Sequence, residues 1–203
     1  MKWIALLLCV SSLSSISLGA DDSEVQALRK QVQELTERVK KLESLVAPLA
    51  GKSELEGRVE RQREKARERM SKDAANYNRT QLREIEGLYQ VANQKWQTEE
   101  GKNSLKDLIK KYDKANRTGC AMLYLGQMSE GAEKEEYLNK AIADFSDCWY
   151  GDGVQVGPFA RYILANHYRA TDKKEKADEL IEQLRKQFPD AIDHSGKLLA
   201  DAQ

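Results

Sequence analysis

The side chains of this sequence that could act as nucleophiles are few. Beyond residue 20 the chain contains two cysteines, Cys120 and Cys148, and its histidines are His167 and His194. A cysteine becomes a strong nucleophile when a histidine takes its proton, so Cys148 and His167 could form a dyad across a junction between helices. A histidine in this position is more often a polar surface residue. We therefore predict a non-enzymatic protein and keep a thiol-dependent enzyme using Cys148 and His167 as an alternative.

A disulfide is another use for the two cysteines. Cys120 is predicted at the start of one helix and Cys148 at the end of the next, and antiparallel packing would bring these ends together. The alternative is a pair of small buried thiols.

No cysteines and histidines have the spacing of a zinc site, and the glycines of residues 151–157 lack the residue order of a phosphate-binding loop. We predict no metal and no cofactor.

Charge and the first twenty residues restrict the protein's location and partners. The chain has 33 basic and 33 acidic residues, and without a basic stripe we expect neither nucleic acid nor anionic lipid as a partner. Lys2 precedes an apolar run over residues 3–10, with small residues near position 20. This predicts a signal peptide in residues 1–20, export from the cytoplasm and no membrane span. Lipidation at Cys9 is a less favoured alternative, because Leu8 is bulky.

Residues 21–50 contain an apolar stripe with the spacing of a coiled coil. Valine recurs at every seventh position and leucine three positions further on: Val25, Leu28, Val32, Leu35, Val39, Leu42, Val46 and Leu49. Helices that lie on their own domain usually have a wider apolar face than this two-in-seven stripe. The spacing therefore predicts self-association through a coiled coil.

The residues are compatible with either two or three chains in this coiled coil. Valine at the first core position with leucine at the second favours dimers. Residues 38–43 resemble a trimerisation signature, in which Arg38 and Glu43 of neighbouring chains contact each other. We favour a parallel trimer, although opposite charges beside the stripe could also match in an antiparallel pair.

Local signals predict two helices before residue 80. Ser23 and Gln26 form a capping box that begins the first helix, and Pro48 with Gly51 predicts its end near Ala47. A second capping box at residues 53 and 56 begins a charged helix, which we interpret as a solvated face or stalk. Residues 51–80 thus form a charged helix and a polar connector.

Residues 81–203 show an internal repeat. The third unit alternates large and small residues along two helices and ends in proline: Leu164, Ala165, Tyr168, Ala177, Ile181, Leu184 and Pro189. Two earlier units align with it, and the period is close to the 34 residues of tetratricopeptide repeats. The predicted fold class is all-α: an N-terminal oligomerising coiled coil, then a tetratricopeptide-like α-solenoid of about three helical hairpins and a capping helix over residues 191–200.

Stacked hairpins leave a concave face that commonly binds peptides or partner helices. Six residues of the second and third units are predicted to point into it: Leu123, Gln127, Phe159, Tyr162, Asn166 and Arg169. The combination of aromatic, amide and guanidinium groups suits a peptide. In the alternative interpretation, Phe159 and Tyr162 only pack against the capping helix.

This architecture, with residues 38–43 and 164–189 as its most specific motifs, resembles the YbgF/CpoB type of periplasmic protein, a Tol-Pal-associated coordinator of envelope constriction. The resemblance covers nearly the whole chain after the signal peptide. It implies a non-enzymatic adaptor that trimerises through its coiled coil and binds protein partners in cell division or envelope maintenance, with the Tol-Pal machinery as the expected partner. A structural spacer of the envelope without a specific peptide site is the alternative.

Overall fold

A computed structural model describes residues 22–201, except for the side chains of residues 22 and 47–53. Within these residues the secondary structure is helical apart from two isolated bridges, so the predicted all-α class is confirmed. The α-helices are α1 (Asp22–Ser71), α2 (Arg79–Gln94), α3 (Glu99–Lys111), α4 (Asn116–Met128), α5 (Gly131–Asp144), α6 (Val156–Ala170) and α7 (Lys174–Gln187). Short 3₁₀ helices span Lys72–Ala75 and Leu199–Asp201. Among the helices described, none is long and apolar enough to cross a membrane.

The chain divides into two compact units, residues 1–50 and 51–203, and the boundary falls inside α1. The predicted end of the first helix near Ala47 is therefore wrong, as is the separate start at Ser53. A proline inside a helix removes one backbone N–H donor, and a glycine only lowers helix propensity. Pro48 and Gly51 lie among leucine, lysine and glutamate residues that favour helix, and the backbone remains helical through them.

The hairpins of the second unit form by pairwise packing of consecutive helices. Helices α2 and α3, α4 and α5, and α6 and α7 pack against each other, and α3 and α5 also contact the helix that follows them. Small residues allow this close approach, since a Cβ at Gly126 would lie 2.7 Å from Cδ2 of Leu138. The small and large residues of the predicted repeat are largely in the core, including Ala92, Leu108, Ala141, Ala165, Ala177, Ile181 and Leu184.

The part of α1 that belongs to the second unit is not a fully solvated stalk. Gln62 and Ala66 are buried, and Nε2 of Gln62 donates a hydrogen bond of 2.7 Å to the backbone oxygen of Asp190. The backbone at Gly153 approaches so closely that a Cβ there would lie 3.0 Å from Cβ of Gln62. The opposite face, which includes Glu60 and Glu64, is exposed. The prediction of a solvated helix therefore holds for one face only.

The predicted capping helix over residues 191–200 is wrong. The chain there makes a tight turn closed by a bridge between Ile192 and Leu198, followed by the 3₁₀ helix Leu199–Asp201. Oδ1 of Asp193 accepts hydrogen bonds from the backbone nitrogens of Ser195 and Lys197, at 2.8 and 3.0 Å. Aspartate that bonds to nearby backbone in this way competes with helix, and Gly196 adopts a φ of 83°. Apolar residues of the segment are still buried.

A buried polar junction joins α1 to the hairpins. Asp73 is 6% exposed, and its carboxylate accepts the backbone N–H of Asn116 at 2.9 Å and Nη1 of Arg69 at 2.9 Å. Nε of Arg69 donates to Oδ2 of Asp147 at 2.8 Å. The Asn116 side chain exchanges two hydrogen bonds of 2.7 and 2.8 Å with the backbone of Trp149. Three distant parts of the sequence meet here.

We expect the Asp73→Ala variant to be destabilised by about 2–3 kcal/mol, because removing one partner leaves the Arg69 guanidinium and the Asn116 N–H without their shared acceptor. Urea unfolding followed by circular dichroism measures this loss. Glu60→Ala is the matched control, since it removes an exposed carboxylate paired with Arg67 and should change stability little. Equal stability of Asp73→Ala and the parent would contradict the role of the junction.

Candidate partner-binding face

The residues predicted for the concave face lie at different depths. Leu123 is completely buried in the core, and Phe159 is buried as well. Gln127, Tyr162 and Arg169 are partly exposed, and Asn166 is exposed on α6. The guanidinium Nη1 of Arg169 is buried and has no hydrogen-bond partner among the described residues. The prediction thus includes two residues of the hydrophobic core, Leu123 and Phe159, beside residues that a partner could reach.

Phe159 and Tyr162 belong to a continuous series of ring contacts that we call the aromatic ladder. From one end to the other its neighbouring ring centroids lie 5.0–6.0 Å apart. Its members are Trp96, Tyr89, Tyr124, Tyr150, His194, Phe159 and Tyr162. The ladder runs from the turn after α2, over α4 and the loop before α6, to His194 after α7, and it ends on α6. Rings in such offset and edge-to-face arrangements stabilise each other beyond the area they bury.

Exposure varies along the ladder: both ends reach solvent and His194 is exposed, whereas others of its rings are buried. Tyr89 and Tyr150 are almost fully buried, and burial raises the pKa of both phenols far above the ordinary value, so both remain neutral. At one end Trp96 is 41% exposed, and it contacts the partly exposed Tyr124. At the other end Tyr162 is partly exposed. The buried rings therefore support the outer ones.

A paired arginine adds to the Trp96 end. The Arg117 guanidinium lies 4.2 Å above the Tyr89 ring, and its Nε donates to the Glu86 carboxylate at 2.8 Å. Burial tends to raise the pKa of Glu86, but hydrogen bonds from Gln90 and Arg117 outweigh it, and the pKa lies below its usual value. Both groups therefore stay charged and neutralise each other beside the rings.

A cleft adjoins the Tyr162 end. It has a volume of about 460 Å³ and is lined mainly by Tyr162, Leu55, Arg58, Asp193, Lys197 and Leu198. Residues 55 and 58 come from α1, and residues 193–198 come from the turn that replaces the predicted capping helix. The ring of Phe159 packs edge-on against His194 of the same turn, at 5.0 Å. Phe159 thus packs against the C-terminal segment, whereas Tyr162 also faces the cleft.

His194 forms an ion pair within the ladder. Its Nδ1 lies 2.6 Å from Oδ2 of Asp152. The hydrogen bond that His194 donates to Asp152 raises the pKa of His194, and burial opposes it only in part. For Asp152 burial would raise the pKa, but the hydrogen bond and charge of His194 keep it below the ordinary value. The pair ties the C-terminal turn to the loop before α6.

The cysteines and His167 have separate surroundings. The structure holds Cys120 and Cys148 as free, buried thiols, without the disulfide that the sequence permits. Sγ of Cys148 accepts a hydrogen bond from Arg69, whereas Nε2 of His167 lies 3.2 Å from Oε1 of Glu135. Burial raises the pKa of Cys148 to about 12 although Arg69 lowers it, and burial also raises the pKa of Cys120. The structure does not pair Cys148 with His167. Among the described residues no cluster of acidic, histidine and cysteine side chains could hold a metal ion.

The sequence did not predict Trp96, Tyr124, Tyr89 or Arg117, which lie at or beside the Trp96 end of the ladder. The sequence contains one weak signal for this site. Trp96 lies in a polar turn between two predicted helices, where a large aromatic side chain is not part of the apolar face of a helix. Their convergence depends on the packing of α2 against α4, which the sequence does not display. No protein-family model, curated protein sequence or solved structure matches this chain.

The surroundings of the thiols predict slow alkylation. At pH 8 a thiol with a pKa of about 12 is almost entirely protonated, and iodoacetamide reacts with the thiolate. We expect Cys120 and Cys148 to remain unmodified in the folded protein and to react in urea without reductant, as peptide mass spectrometry would show. An exposed cysteine introduced by Asn166→Cys is the positive control. Reaction of Cys148 at the rate of that control would contradict its burial, and failure to react in urea would indicate a disulfide.

The ion pair of His194 predicts a pH-dependent contribution to stability. Because folding raises the pKa of His194, this contribution is complete below the unfolded value of about 6.5 and is lost as the pH rises through the folded pKa. Because folding lowers the pKa of Asp152, its contribution is present above about 3.9 and is lost as the pH falls through the folded pKa. Asp152→Asn should therefore destabilise more at pH 5.5 than at pH 9, by up to about 1 kcal/mol for this half-exposed pair.

The same measurement has a matched control. Asp178→Asn removes an exposed carboxylate on α7 and should show no such difference between the two pH values. Urea unfolding at both pH values gives the comparison. A penalty for Asp152→Asn that does not change with pH, or that grows at high pH, would contradict the assignment.

Proposed function

We propose that this protein is a non-enzymatic scaffold that self-associates through residues 25–49 and binds protein partners through its helical hairpins. The observation that carries the proposal is the apolar stripe on the first unit. Leu28, Val32, Leu35, Val39, Leu42 and Val46 are each 52–60% exposed. Val25 is partly exposed, and the side chain of Leu49 lies outside the described residues.

This much exposed aliphatic surface is costly in water. Full burial of one such side chain is worth about 1.5–3 kcal/mol, and monomeric proteins rarely expose a continuous apolar patch of this kind. The strict alternation of three and four residues matches a second helix with the same stripe. A further copy of this chain is therefore the occupant that we propose, in a coiled coil.

Two features favour three chains over two. Arg38 and Glu43 lie on either side of the stripe, exposed and placed for an ion pair between neighbouring chains. Leu45 lies beside the stripe and is 61% exposed. It is not one of the residues that the heptad pattern identified. Flanking positions are covered more completely in a three-stranded coiled coil than in a two-stranded one, so Leu45 widens the stripe in the direction that a trimer needs.

Support for partner binding comes from the second unit. Its helices pair in sequence, its small residues lie at the contacts between helices, and its aromatic ladder has two open ends. We propose that the hairpins are tetratricopeptide-like and that the ladder lies on the face that partners use. Trp, Tyr and Arg are the residues that most often dominate binding energy at interfaces.

The resemblance to the YbgF/CpoB type extends this proposal to the cell. We propose that residues 1–20 export the chain to the periplasm and that it acts as an envelope adaptor in division or envelope maintenance, with the Tol-Pal machinery as partner. Fractionation of cells tests the location, and crosslinking followed by identification of the linked proteins tests the partner. Recovery of the chain from the cytoplasm would overturn the assigned location.

Self-association through the stripe has a direct test. We expect sedimentation velocity at micromolar concentration to show a trimer for the parent, and a single protomer for the Leu35→Glu, Leu42→Glu double variant, because like charges cannot be buried at the core of the coil. The control variant, Gln33→Glu with Ser44→Glu, adds the same charge at exposed positions off the stripe. A parent that sediments as one protomer would overturn the proposal, as would a core variant that still associates.

A further inference from the structure

The Trp96 end of the ladder carries an inference about the kind of partner, which rests on the proposed binding function. Trp96 lies in the turn between α2 and α3, and its ring meets Tyr124 at 5.1 Å with an interplanar angle of 76°. Tyr124 in turn stacks on Tyr89 at 5.4 Å. Two partly exposed rings thus form a right-angled corner above a buried one.

The turn holds this corner in place. Gln97, next to Trp96, adopts a φ of 62°, a left-handed conformation that is uncommon for residues other than glycine. The Thr98 backbone N–H and hydroxyl both donate to the Lys95 oxygen, at 3.2 and 2.8 Å, and the Thr98 hydroxyl accepts from Gly101 at 3.1 Å. Unusual backbone conformations that neighbouring hydrogen bonds maintain occur preferentially at functional sites.

Charges near the corner are already paired. Lys95 pairs with Glu100, and Arg117 pairs with Glu86. The Tyr124 hydroxyl donates to Oδ1 of Asn93 at 2.8 Å. By contrast, the Trp96 Nε1–H has no acceptor within the described part of the chain. The corner therefore offers apolar ring faces and one hydrogen-bond donor, without a net charge to attract a charged ligand.

These properties distinguish among the common modes of peptide binding. An added β-strand needs a free sheet edge, and the corner is built from helices and a turn. A docked helix needs a longer row of aliphatic contacts than two rings provide. A polyproline II helix has no internal hydrogen bonds, so its carbonyl groups are free to accept bonds from a partner. Such a segment therefore needs aromatic faces for its proline rings and hydrogen-bond donors for its carbonyl groups.

We infer that the Trp96 corner binds an uncharged, proline-rich segment of a partner protein in the polyproline II conformation. Proline rings pack against Trp96 and Tyr124, and a ligand carbonyl accepts the Trp96 Nε1–H. The buried Tyr89, held under Arg117, keeps the Tyr124 ring in position. Because such a ligand is rigid before it binds, few contacts are sufficient for measurable affinity.

Calorimetric titration of the full chain with decaproline tests this inference. We expect binding of decaproline and none of a glycine-serine decapeptide. Trp96→Ala should weaken binding at least tenfold, which corresponds to about 1.4 kcal/mol. Trp96→Phe keeps a ring without the donor and should weaken binding by an intermediate factor. Asp178→Ala, an exposed change on α7, should leave the affinity unchanged.

Each contrary result has a defined meaning. Equal binding of the two peptides, or equal affinity of Trp96→Ala and the parent, would overturn the inference, and so would preference for an acidic or basic decapeptide over decaproline. Circular dichroism and sedimentation of the same samples show whether each variant is folded and associated. A parent that associates but does not bind decaproline contradicts only this inference, whereas a parent that does not associate contradicts the proposed self-association.

Discussion

The carboxylate of Asp73 is the group on which the arrangement of the second unit depends. It lies where α1 ends, accepts the first backbone N–H of α4, and pairs with Arg69, which reaches Asp147. A negative charge at the start of a helix is favourable, because the amide groups there have no partners within the helix. A buried carboxylate and a largely buried guanidinium are each costly alone. Only a geometry in which both are paired avoids that cost, so the junction specifies how α1, α4 and the segment before α6 meet.

The same junction sets the position of the aromatic ladder. The Asn116 side chain holds the backbone of Trp149, which places the neighbouring Tyr150 beside α4. Tyr124 lies on α4, about two turns after Asn116, and its ring contacts Tyr150 at 5.8 Å. The rings at the surface, Trp96 and Tyr124, thus rest on buried groups whose positions are determined by hydrogen bonds in the core. A face built on such support loses little conformational entropy when it binds.

The proposed functions of the two units reinforce each other. The proposed self-association through residues 25–49 would bring several copies of the proposed partner-binding face into one particle. A ligand with more than one proline-rich segment then binds the second face at a high effective concentration. Weak contacts at a single Trp96 corner can therefore give strong overall binding without a deep pocket. In this proposal the stripe determines avidity and the corner determines which ligand is chosen.

The sequence by itself determined the all-helical class, the apolar stripe, and most core positions of the hairpins, because helical periodicity is a property of neighbouring residues. Two wrong predictions also come from local rules. The rule that proline ends a helix fails at Pro48, where α1 continues. The helix predicted for residues 191–200 is replaced by a turn, which the hydrogen bonds of Asp193 close. Only the tertiary structure decided the partners of Arg69, the burial of one face of the charged helix, and the ladder from Trp96 to Tyr162. These contacts join residues far apart in the chain, and their geometry depends on how the helices pack rather than on any local pattern.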